Sequence, residues 1–249
     1  MKWFFRNAPN RLSFAVRHPA YTLRSVLREA TLADERFLAA ATGGQTSEVR
    51  RFLEEPFRSN NFLNHLKEAQ QTFEKLKLTS ADLYAKKVLI QYVVTRAMMP
   101  EVVVETGVAN GVSTAYLLLA LKRNGKGVLH SIEIGDSEYL PEGRSLGWFV
   151  PAWLRQPWQM HIGDSKAVLP ELLHKLGAID LFIHDSLHTH EHMTFELRAA
   201  YPHLRLGGVL LVDDALWNPA FSEFARELEA QVAGVIRGVG VLRKDRNGI

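Results

Sequence analysis

The chain has 249 residues, 47% of them hydrophobic and none of them cysteine. That length and apolar content fit one large domain or a domain with an appendage and exclude disorder along the whole chain, while the missing thiols exclude disulfide frameworks, thiolate zinc sites, iron–sulfur clusters and cysteine nucleophiles together. The formal net charge of +3 divides unevenly: residues 1–28 hold six bases (Lys2, Arg6, Arg11, Arg17, Arg24, Arg28) and no acid, leaving 24 basic and 27 acidic residues in the remainder, so the excess sits in a terminal arm rather than along a folded face and does not point to nucleic acid.

No stretch approaches the roughly 18–20 apolar residues of a spanning helix, and no early run resembles a signal-peptide core. A cytoplasmic protein is expected, and the lack of cysteine suits a reducing compartment. In the basic arm Trp3, Phe4, Phe5, Phe14 and Tyr21 interleave with the bases. That pattern fits a helical cap packed on the core or on a sister subunit of a homo-oligomer, and it also fits peripheral contact of residues 1–28 with an anionic membrane surface.

The first hundred residues read as helix, punctuated by Pro9, Pro19, Gly43, Gly44 and Pro56. Residues 1–78 are expected to form a helical N-terminal arm and cap. Thr79 to Asp82 offers N-cap candidates for a helix through Leu83, Val88, Leu89, Tyr92, Val93 and Met98, which Pro100 ends.

From Val102 short apolar runs alternate with amphipathic stretches, the mark of a parallel sheet covered on both sides. The pattern predicts strands at 101–105, 128–133, 158–162, 179–184 and 208–213. Helices at 111–122, 165–176, 188–200 and 219–231 serve as crossovers. Val235 to Arg243 reads as a final strand or a tight hairpin. Residues 79–249 are thus an α/β domain, doubly wound, mostly parallel, with helices on both faces. Residues 136–157, crowded with Tyr139, Trp148, Phe149 and Trp153, read either as a lid or as a displaced crossover with ordinary aromatic packing.

The run Val102-Val-Val-Glu-Thr-Gly-Val-Ala-Asn-Gly111 is a buried strand followed by a glycine turn and a helix start. Such a turn brings a ligand against bare backbone and free N–H groups. Dinucleotide binding asks for G-x-G-x-x-G. Here Ala109 and Val112 stand where the second and third glycines belong, which argues against NAD. Glu133 ends the next strand, where a carboxylate accepts hydrogen bonds from both hydroxyls of a ribose.

Further along, Asp185 follows one strand and Asp213-Asp214 closes the next. If the two strands are neighbours, three carboxylates gather beside the glycine turn, and a hard, partly hydrated divalent cation such as magnesium compensates their repulsion. Helix capping by Asp213 or Asp214 is the plainer alternative. His184, His188, His190 and His192 surround Asp185. His188 and His192, four apart, would share a helical face as a zinc or iron site or as an exposed first turn. His188 is the favoured general base or substrate-orienting group, with Asp185 the competing base.

Glu105-Thr-Gly-Val-Ala-Asn-Gly111, Ile132-Glu133, Gly163-Asp164-Ser165 and Gly207 to Asp214 resemble the class I S-adenosylmethionine-dependent methyltransferases over roughly residues 80–245. The resemblance implies a Rossmann-like fold. It also implies that Glu105 and Gly107 lie beside the methionine moiety and that Ala109, Gly111 and Ser113 bind the cofactor with them. Glu133 would hold the ribose, Asp164 and Ser165 would flank the adenine, and Asp185 would border the cofactor. The acids are similar to those of the metal-dependent small-molecule O-methyltransferases, the group with catechol, macrolide-sugar and cephalosporin-hydroxylase-like members. Carried over, Asp185, Asp213 and Asp214 would bind magnesium. Relatives read Asp-Gly-Asp-His-Ser-Tyr-Glu where this chain reads Asp185-Ser-Leu-His-Thr-His-Glu191, so Leu187 replaces the second acid and His190 the tyrosine. The expected activity is magnesium-assisted O-methylation of a small hydroxylated acceptor such as a sugar, glycolipid headgroup or natural product. A hydroxylase-like oxidoreductase in the same cleft, or a non-catalytic nucleoside-binding or membrane-docked partner protein, are the alternatives.

Overall fold

The computed structural model describes residues 33–76, 78, 83, 85–135 and 140–246. The chain divides into two compact units, residues 1–37 and 38–249, and every element below belongs to the second. The basic arm of residues 1–28, the N-cap candidates Thr79 to Asp82, and Tyr139 lie outside the described residues.

Among the described residues before the sheet, 33–42 are helical, and the helices α1 (Thr46–Glu54), α2 (Asn60–Lys75) and α3 (Lys86–Met98) follow. No strand occurs among the described residues of this region, as the sequence predicts. The start of α3 differs from expectation, since Ala85 is its N-cap. At its other end Met99 adopts a left-handed conformation (φ 50°) and donates its N–H to the Thr95 carbonyl, and Pro100 then prevents continuation.

The α/β portion runs β1 (Val102–Thr106), α4 (Val112–Asn124), β2 (Val128–Glu133), β3 (Trp158–Ile162), α5 (Ser165–Leu176), β4 (Ile179–His184), α6 (His190–Ala200), β5 (Leu204–Val212), α7 (Ala220–Glu227), β6 (Ala233–Ile236) and β7 (Val239–Arg243). The seven strands lie in the order β3-β2-β1-β4-β5-β7-β6. The first five are parallel, and β7 pairs antiparallel with both β5 and β6. The C-terminal segment is therefore the hairpin of the two alternatives. Val103, Val104, Leu181, Phe182, Ile183 and Val209 to Val212 are fully buried, as strands covered on both faces must be.

Three boundaries depart from the pattern. Strand β5 starts at Leu204 rather than 208, because Leu204 already pairs with Ile179 before a register shift. Helix α7 stops at Glu227, where Glu229 turns left-handed (φ 46°). Helix α6 begins at His190 because the Thr189 side chain accepts from the His192 N–H and caps it. His188 therefore precedes the helix and cannot share a helical face with His192.

Strand order reverses at β1, which lies between β2 and β4. In an open parallel sheet the crevice at such a switch point, beyond the C-terminal strand ends, is where ligands bind. The Gly107, Glu133, Asp185 and Asp213 positions all fall there.

Candidate active site

The turn after β1 is built against the end of β4. Gly107 has φ 86°, and a Cβ on it would lie 2.0 Å from the Asp185 carbonyl oxygen and 2.9 Å from the Ser186 nitrogen. Only glycine permits that approach. The backbone ties the edge together, with Gly107 N–H donating to Ile132 O at 2.9 Å, Asp185 N–H to Thr106 O at 2.9 Å and Asp213 N–H to His184 O at 2.8 Å. Ala109 is left-handed (φ 45°), and Gly111 (φ 87°) is the N-cap of α4.

Glu133 is more than a solvated strand-end acid. Its Oε2 accepts from Val108 N–H at 2.8 Å and Ala109 N–H at 2.9 Å, and Oε1 accepts from Ile134 N–H at 2.9 Å. A carboxylate has about four acceptor positions, so the remainder faces outward beside the turn it braces. Asp164 is exposed and caps α5 by accepting from Lys166 N–H at 2.8 Å.

Glu105, Ser113 and Ser165 project into the interior. Glu105 is wholly buried and accepts from Ser131 at 2.6 Å, Thr114 at 3.0 Å and Ser113 at 3.3 Å. Burial pushes its carboxyl up to about 7 against the pull of those hydroxyls. Ser165 donates to Glu196 at 2.6 Å and lies 2.9 Å from His192 Nε2.

The acids after β4 and β5 do meet. One ligand atom each from Asp185, His188 and Asp213 lie within 4.8 Å of one another, the one such group of three among the described residues. Asp214 stands slightly apart in a left-handed conformation (φ 50°) with Oδ2 3.7 Å from His188 Nε2. Neither Asp213 nor Asp214 caps α7, whose N-cap is Pro219. Burial and the neighbouring Asp213 charge raise the Asp185 carboxyl well above the usual carboxylate range. For Asp213, burial is outweighed by a hydrogen bond from Asp185 and by the Lys87 ammonium, so it is lowered. Two carboxylates in this spacing, one of them raised by burial and by its neighbour's charge, fit a hard divalent cation, with the His188 imidazole beside it.

The histidines do not form one ligand set. Only His188 joins the acids, with its ring 5.5 Å from Trp217 and its carbonyl accepting from Asn218 at 3.1 Å. Burial, then the adjacent His184, lowers its titration below the ordinary imidazole range, so it is neutral at neutral pH. His184 Nδ1 lies 2.6 Å and His192 Nε2 2.9 Å from the Glu196 carboxylate, and His190 pairs with Glu223 at 2.8 Å.

Residues 147–149 dock on the glycine turn. Gly147 N–H donates to Ala109 O at 2.9 Å, Phe149 N–H to Asn110 O at 3.0 Å, and the Trp148 indole to Asn110 Oδ1 at 2.7 Å. Gly111 and Gly147 face each other so closely that a Cβ on Gly111 would sit 2.7 Å from the Gly147 Cα. Behind them Phe73 lies 5.4 Å from Trp148, and His65 Nε2 is 2.7 Å from Phe149 O. Among its described residues the connection holds one short helical turn, Ala152–Leu154, and no crossover helix. A separate cavity of about 490 Å³, lined by Leu121, Lys122, Lys126, Trp153 and Gln156, lies at the opposite end of the sheet and has neither acid nor imidazole in its wall.

Sequence reasoning missed Lys87 and Glu196. Lys87 is ion-paired with Asp213 and lies 3.9 Å from Asp185. Its signal was a base in the first turn of a helix, where the dipole disfavours positive charge. Glu196 reads in the sequence as an ordinary i, i+4 partner of His192.

A family model described as a methyltransferase domain matches residues 104–215. The demethylmacrocin O-methyltransferase of Streptomyces fradiae is 27% identical over 101 residues, or 40% of this chain and 22% of that enzyme, so the chain spans about a fifth of the length of the curated relative it matches. Among solved structures, the SAH-bound Podospora anserina methyltransferase PaMTH1 aligns with a TM-score of 0.55 at 16% identity, covering 80% of this chain and 95% of that one. The O-methyltransferase TomG of Streptomyces achromogenes, involved in tomaymycin synthesis and solved with SAM, gives 0.53 at 19% identity, covering 73% and 90%. At such identities the structures speak for the fold.

Proposed function

We propose that this chain, whose residues 104–215 match a methyltransferase-domain model, is an S-adenosylmethionine-dependent O-methyltransferase assisted by magnesium and acting on a small hydroxylated acceptor such as a sugar, glycolipid headgroup or natural product. One observation carries the reading: the glycine turn and the acid group share one strand edge, with a Gly107 Cβ position 2.0 Å from the Asp185 carbonyl. A nucleoside ligand braced at Glu133 and an acceptor oxygen held at Asp185 and Asp213 would then be neighbours.

The cofactor supplies an electrophilic methyl, and transfer to an oxygen needs no covalent enzyme intermediate, so the chain's task is alignment and charge. Asp185 and Asp213, with Asp214 beside them, would hold a hard cation, which would supply Lewis acidity toward the acceptor hydroxyl. His188, kept neutral by burial, is the base that takes the hydroxyl proton. Asp214 at 3.7 Å then stabilises the imidazolium, with Trp217 beside the ring and Asn218 holding the His188 backbone carbonyl. Trp148 and Phe149, backed by Phe73 and His65, wall the turn against water. Outside the described residues, the 1–28 arm serves as a contact for a sister subunit or an anionic surface, on the strength of its interleaved bases and aromatics.

Calorimetric titration of the full chain with S-adenosylmethionine and with NAD, each with and without magnesium, tests the reading. S-adenosylmethionine is expected to bind and NAD not. Glu133→Ala is expected to weaken binding about tenfold or more, or ~1.4 kcal/mol. Binding of NAD in place of S-adenosylmethionine would overturn the assignment.

A further inference from the structure

The acid group already contains a cation. Lys87 reaches from the first turn of α3 and pairs with Asp213, whose side chain is 3% exposed, while its Nζ stands 3.9 Å from Asp185 Oδ1. The helix supplies no reason for a base there, because free N–H groups at its start repel positive charge. The attraction comes from the acids. On the same side of α3, one turn on, Gln91 is wholly buried and neither its amide oxygen nor its amide nitrogen has a partner. This side of the helix thus carries one polar group tied to the acids and another left unsatisfied, an arrangement that a second ligand set would alter.

Resting on the metal reading above, we propose that Lys87 is an internal counter-cation that competes with the divalent ion for Asp213. In the metal-free chain the ammonium neutralises the acid group and joins α3 to the ends of β4 and β5. An ion bound between Asp185 and Asp213 would meet that ammonium at the same carboxylate, and like charges at such range repel. Lys87 must therefore withdraw from Asp213 as the ion enters. Metal binding loosens α3 from the sheet edge, and the chain's affinity for the ion is lower than its acids alone would give.

The test is titration of the full chain with manganese(II) alone, followed by calorimetry and by the paramagnetic resonance of free ion. Lys87→Met keeps the length of the side chain and removes its charge, and it is expected to bind manganese at least tenfold more tightly than the wild type. Its metal-free melting temperature is expected to fall and the rise on adding manganese to grow. Lys87→Arg keeps the charge and is expected to behave as the wild type, which guards against a folding defect in the first variant. Lys122→Met, at the far end of the sheet, controls for net charge. Equal or weaker binding by Lys87→Met overturns the inference while leaving the metal reading intact, and so does an equal gain in Lys122→Met. Failure of both wild type and Lys87→Met to bind overturns the metal reading and this inference with it.

Discussion

Replacing Glu196 by alanine is expected to cost about 3–5 kcal/mol of folding stability, the range for stripping one partner from a buried charged network. The carboxylate is fully buried and accepts from Thr106 at 2.6 Å, Ser165 at 2.6 Å and Ser186 at 2.9 Å, with His184 Nδ1 at 2.6 Å and His192 Nε2 at 2.9 Å. These five groups come from β1, α5, β4, the segment after β4, and α6. Alanine would strand all of them in the interior, each at its own desolvation cost. Denaturant melts of the two proteins measure the loss, and a difference below ~1 kcal/mol at neutral pH would show that the network is not what joins these elements. Burial alone would raise the Glu196 carboxyl, but the hydrogen bonds of His184 and His192 outweigh it and hold the group below its ordinary range. A depressed folded pKa means the contribution is complete above the unfolded value near 4.5 and is lost as pH falls through the folded value. The deficit of the variant should therefore shrink on acidification.

Glu105 should behave with the opposite sign. Its folded carboxyl is pushed up by burial to about 7, from an ordinary 4.5, so folding favours the protonated form. Stability associated with this group is fully present below about pH 4.5, declines as pH rises, and levels off above about 7. At ~1.4 kcal/mol per pH unit the penalty at pH 8 is about 3 kcal/mol. Glu105→Gln, neutral throughout and still able to meet Ser131, Thr114 and Ser113, is expected to be more stable than the wild type at pH 8 by up to that amount and to lose the advantage at pH 5. Melts at the two values decide it, and an advantage independent of pH would show that ionisation of Glu105 is not what strains this layer.

Much of the fold was legible because the buried strands are continuous apolar runs and the turns between them carry glycine. Val102 to Thr106, Ile179 to His184 and the glycine turn at Gly107 are local patterns, and neighbouring β4 and β5 followed from chain order. The juxtaposition of Asp185 with Asp213 was legible for the same reason. What escaped depended on groups far apart in the chain. Lys87 and Asp213 are 126 positions apart, and nothing around either residue names the other. Glu196 gathers partners from five places, and only its spacing from His192 is visible locally. The histidine run, dense in sequence, divides among several carboxylates: His184 and His192 meet Glu196, His190 meets Glu223, and His188 faces Asp185 and Asp214.

Gly111 and Gly147 face each other without side chains between them, which lets residues 147–149 seat directly on the glycine turn. Residues 147–149 are fastened to Ala109 and Asn110 by two backbone bonds and one indole bond, so the aromatic wall is anchored to the glycine turn itself. Under the proposed function, a nucleoside seated against the turn would bear on the aromatic wall as well, and this coupling would favour its entry ahead of the acceptor.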